Sequence, residues 1–115
     1  YHSLSYFDNH ENFYHGFLVG LLQGYHIKSN REAGYGRFDL VIYGETIDDT
    51  CIVIECKHSG SRRSLKKDSE KAALQIEDKK YIEEILDEGY LHCIGYGIAF
   101  YKKSCLISVV PNALT

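Results

Sequence analysis

Gly36-Arg37-Phe38-Asp39-Leu40-Val41-Ile42-Tyr43 and Thr50-Cys51-Ile52-Val53-Ile54-Glu55-Cys56-Lys57 are the two stretches from which the fold of this chain can be read. Each is a short apolar run rich in β-branched residues, the pattern of a strand. The polar interval 44–49 between them reads as a turn, so the runs are expected to pair as neighbours. Side chains alternate along a strand, so Glu55 and Lys57 share a face. Pairing then sets Asp39 beside Glu55. Two hard carboxylates can hold Mg²⁺ with waters still attached. A lysine beside that ion can position a water or stabilise charge on a phosphate. Metal-assisted phosphodiester hydrolysis needs this set of groups. The plain alternative is a surface ion pair, with Asp39 as a turn residue. Against it, Glu55 and Lys57 end an apolar run, where unpaired charge is costly.

The chain has 115 residues, 44% apolar and 25% charged, which suits one globular domain with a modest core. The expectation is a single domain over 1–115. Because it starts at Tyr1 rather than Met, it is expected to be a piece of a longer polypeptide. No run has the length of a membrane span. A net charge of −3 argues against a general nucleic-acid coat protein. Yet Arg62, Arg63, Lys66 and Lys67 follow the second run directly, as a basic segment suited to phosphates or as a solvated loop and helix start. The four cysteines form no C-x-x-C pair. They read as buried free thiols of a reducing cytoplasm rather than zinc ligands.

Outward from the two runs, residues 8–24 carry Phe13, Phe17 and Leu21 at helical spacing, with Glu11 at the edge of that stripe. Residues 25–31 read as a first strand, with Gly34 and Gly36 in the connection that follows. Residues 59–64 read as a loop, and 66–88 as one long helix with Ala72, Ile76, Lys79, Ile82 and Leu86 on its stripe. Gln75 falls on the same side. Lys79 is out of place on a purely structural stripe. Residues 92–100 and 105–110 read as two final strands. The order is α-β-β-β-α-β-β, an α/β domain.

That order, with Asp39 on the second strand and Glu55-Cys56-Lys57 ending the third, resembles the PD-(D/E)XK nuclease superfamily. Gly34-Tyr35-Gly36-Arg37-Phe38-Asp39, Ala73-Leu74-Gln75-Ile76, Tyr81 and Gly95-Tyr96-Gly97-Ile98-Ala99-Phe100 are similar to one bacterial branch of it. In that branch the nuclease-like domain usually follows an AAA-type ATPase domain in the same polypeptide.

The resemblance implies a restriction-endonuclease-like core, with a mixed central sheet flanked by helices. It implies that Asp39 and Glu55 bind Mg²⁺, or Mn²⁺, and that Lys57 positions the attacking water. Gln75 would stand at the rim of the site, and Glu11 would be the first-helix glutamate near the metal. Phe38 replaces the proline of the family name. The leading expectation is a cytoplasmic, metal-dependent endonuclease acting on DNA. The alternatives are a non-catalytic module that binds nucleic acid or regulates an attached ATPase, and a metal-dependent hydrolase or small-ligand binder on the same fold.

Overall fold

The computed structural model describes residues 25–32 and 37–110, with the backbone alone at 29–32 and 37–38. The helix expected over 8–24, Glu11 within it, and the connection carrying Gly34 and Gly36 lie outside the described residues. The described strands are β1 (His26–Glu32), β2 (Arg37–Tyr43), β3 (Thr50–His58), β4 (His92–Tyr101) and β5 (Ser104–Val109). They lie in the sheet in chain order. β3 and β4 run parallel, and the other neighbouring pairs run antiparallel. A parallel pair needs a crossover. A short 3₁₀ turn (Arg62–Ser64), α1 (Leu65–Asp78) and α2 (Tyr81–Asp87) supply it. The mixed α/β sheet is the expected one.

The β2–β3 connection is tied locally. Asp49 Oδ2 accepts from the backbone N–H of Glu45 at 3.2 Å and of Thr46 at 3.0 Å. This side-chain-to-backbone closure is why a polar stretch with Asp reads as a turn. It fixes the hairpin in which Leu40 opposes Ile54 and Val41 opposes Val53.

Alternation then sorts each strand into two faces. Leu40, Ile42, Ile54, Cys56, Ile98 and Phe100 form one buried apolar cluster. Val41, Cys51, Val53 and Cys93 form the other, against Ala73 and Ile76 of α1 and Ile85 of α2. Ile76 is fully buried, worth roughly 1.5–3 kcal/mol relative to exposure. α1 also meets β5, where the hydroxyls of Ser69 and Ser108 lie 2.8 Å apart.

Two expectations are corrected. The single helix over 66–88 is two helices, broken where Lys80 adopts a left-handed conformation with φ 59°. A non-glycine residue pays about 1–2 kcal/mol there. The break resets the helical phase, so Ile85 is the buried residue of α2, while Ile82 and Leu86 are half-buried. The second correction concerns the thiols. Cys51, Cys56 and Cys93 are buried, but Cys105 is exposed on the edge strand β5. Burial and then neighbouring Cys51 push the Cys93 thiol up to about 11. Among the described residues, no helix is long and apolar enough to cross a membrane.

Candidate functional site

Asp39 of β2 and Glu55 of β3 face each other as register partners. They fall on the same face as Val41 and Val53, under the helices. Asp39 is 3% exposed and Glu55 1%. Two carboxylates this dry need positive charge or donors close by. Lys79, which caps the C-terminus of α1, brings its ammonium 3.4 Å from Asp39 Oδ2 and 3.5 Å from Glu55 Oε2. The Tyr81 hydroxyl donates to Asp39 Oδ2 at 2.8 Å.

The helix break explains how both reach one carboxylate. In a continuous helix, positions two apart point about 200° away from each other. The left-handed Lys80 lets Lys79 and Tyr81 converge instead. Their contacts with Asp39 oppose the backbone cost at residue 80.

Lys57 shares the face of Glu55, as alternation requires, and its ammonium is engaged 3.3 Å from Asp68 Oδ1. The Ser59 hydroxyl donates to Asp68 Oδ2 at 2.7 Å. Burial raises the Asp68 pKa, but the Ser59 hydroxyl and the Lys57 ammonium outweigh it and hold the carboxyl below its ordinary range. Asp68 thus stays charged and holds Lys57 over the first turn of α1. Lys57 and Gln75 border one cleft together with Lys71 and Asp78. Asp39 borders another, with Tyr81, Lys28 and Glu84. Asp39 and Lys57 are therefore on one face but border different clefts, while Glu55 is buried beside Asp39.

The field of the acid pair reaches its neighbours. The buried Cys56 thiol is pushed well up, first by burial and then by the charges of Glu55 and Asp39. Two hard carboxylates facing a shared cation suit Mg²⁺ or Mn²⁺, and the Lys79 ammonium already sits where such a charge is favoured. Among the described residues no group of three or more His, Cys, Asp and Glu side chains comes together as ligands.

Arg62 and Arg63 lie exposed in the 3₁₀ turn, and Lys66 and Lys67 lie exposed in the first turn of α1. Glu11 lies outside the described residues. The sequence reading missed Asp68, which looks like any first-turn helix acid. It noted Lys79 only as misplaced on its stripe, and Tyr81 only as part of a resemblance.

The model of the PD-(D/E)XK nuclease superfamily matches residues 9–109. No curated protein and no solved structure matches the chain. The family match takes in every described strand and helix, with Asp39 and the Glu55-Cys56-Lys57 triplet at the centre of the sheet, and on it the chain belongs to the PD-(D/E)XK nuclease superfamily.

Proposed function

We propose that this domain is a Mg²⁺- or Mn²⁺-dependent endonuclease acting on DNA. One observation carries the reading: Asp39 and Glu55 oppose each other across β2 and β3, both buried and both within reach of one cation. These two carboxylates would hold the metal, which when bound supplies Lewis acidity to the phosphate and acidifies water. Tyr81 fixes the orientation of the Asp39 carboxylate through its hydroxyl. Lys57, on the same face and held by Asp68, would supply positive charge to the phosphate as charge develops during cleavage. Gln75 lines the same cleft as Lys57 and would help anchor the attacking water. Arg62, Arg63, Lys66 and Lys67 follow the end of β3 and meet backbone phosphates, which position a duplex without reading bases. A cytoplasmic setting and an AAA-type ATPase domain in the same polypeptide belong to this reading too.

A second reading is favoured by one feature. The Lys57 ammonium rests on Asp68 rather than over the acid pair, as suits a module that binds nucleic acid without cutting it.

The test is incubation of the domain with double-stranded DNA, single-stranded DNA and RNA, with Mg²⁺ or Mn²⁺. Wild type should cut DNA only with metal, and Asp39→Asn should not cut. Intact substrate of every kind after incubation with folded wild type would move the assignment to the binding module. In the same series, neutralising Arg62 and Lys66 should weaken DNA binding alike for all sequences. It should flatten the salt dependence by about two units of slope at most, at ~0.9 per lost phosphate contact.

A further inference from the structure

The Lys79 contacts have a property that an ordinary ion pair lacks. One ammonium is shared between two carboxylates from different strands, at 3.4 and 3.5 Å. Charge-assisted N–H···O bonds close to about 2.7–2.9 Å. Lys79 therefore bridges both oxygens and is drawn fully onto neither. The side chain is also a quarter exposed, at 25%, so it is less enclosed than the two carboxylates it faces. A divalent ion at roughly 2.0–2.1 Å from each oxygen would bring twice the charge closer. The ammonium and that ion cannot occupy the same space between Asp39 and Glu55.

We propose that Lys79 is a resident counter-ion of the acid pair, and that a divalent ion enters by displacing its ammonium. This rests on the reading that Asp39 and Glu55 hold the metal. Two things follow. Without metal, Lys79 sets a positive charge against two buried, adjacent carboxylates, whose burial without a partner would weaken the fold. With metal, the ion must compete with a cation tethered at the site. The apparent affinity is then reduced in proportion to the fraction of molecules in which Lys79 is unseated. If Lys79 is seated about nine-tenths of the time, that reduction is about tenfold.

Calorimetry with Mn²⁺ alone, on wild type, Lys79→Met and Asp39→Asn, tests the competition. Lys79→Met should bind about tenfold more tightly than wild type, and Asp39→Asn should bind much more weakly. Because Lys79→Met can fail to fold, wild type carries a second measurement. Amine acylation read by mass spectrometry should show Lys79 more reactive with saturating Mn²⁺ than without it, with exposed Lys71 unchanged as reference. Equal or weaker binding by Lys79→Met, or Lys79 reactivity unmoved or lowered by Mn²⁺, would overturn the proposal. It would leave the acid-pair reading intact provided Asp39→Asn still loses the ion. Undiminished binding by Asp39→Asn, or no binding by any of the three, would remove both.

Discussion

Lys57→Ala should lower metal-dependent DNA cleavage by at least ~10²-fold, the scale for losing one group that stabilises developing charge. The fold should survive, because Asp68 keeps the Ser59 hydroxyl, and Lys57 is itself partly exposed. Metal binding should survive as well, because the two carboxylates facing Lys79 are untouched. Single-turnover cleavage and Mn²⁺ calorimetry on the same preparation separate these effects. Wild-type rates from the variant would assign the cutting to a contaminant or to another site. Loss of metal binding together with activity would mean that Lys57 supports the acid pair and does not act on the substrate.

The second large effect is on stability. Gly97 of β4 is the register neighbour of Glu55. A Cβ built there would come within 3.0 Å of backbone atoms of Ser69, Ala72 and Ala73 in α1. Backbone cannot rotate away as a side-chain tip can, so Gly97→Ala must lift α1 from the sheet. Overpacking of this kind costs about 1–3 kcal/mol, and we expect the upper end, with Tm lowered by roughly 10 °C or more. Gly60→Ala is the control, since a Cβ there meets nothing within 4 Å. Thermal unfolding of both variants decides it. A Gly97→Ala variant as stable as wild type would mean that α1 does not press on the sheet as closely as the structure has it.

The centre of the site was legible because it depends on parity. Asp39 and Glu55 lie on strands whose side chains alternate, and a short turn with Asp49 leaves little choice of partner strand; alternation also put Lys57 on their face, but not its engagement by Asp68 away from the pair. The buried α1 residues Ala72 and Ile76 were legible for the same kind of reason, a fixed helical period. What escaped the sequence depends on a single residue's backbone. Lys80 is neither Gly nor Asn, so nothing announces its left-handed turn. The apolar spacing carries through it to Ile82 and Leu86, although the real phase changes to Ile85. Lys79 and Tyr81 reach Asp39 only because of that break, so their convergence had no periodic signal. Cys105 misled in another way. An apolar run shows that a segment is a strand, but not that it lies at an edge with one side open.

The crossover that brings Lys79 has a consequence for the order in which the chain assembles. The β2–β3 hairpin is local and closes with a short loop, while α1 and α2 dock through longer-range contacts. The hairpin alone holds Asp39 opposite Glu55 in water, where their repulsion is only about 1 kcal/mol at 4 Å. The arriving helices dry the pair and bring it one positive charge in the same movement. The helices that cover the acid pair are thus the same elements that carry its cation. Native-state hydrogen exchange should therefore show α1 and α2 opening ahead of β2 and β3, and by a wider margin in Lys79→Met. Simultaneous opening of all four elements in both proteins would mean that sheet and helices form as one indivisible unit.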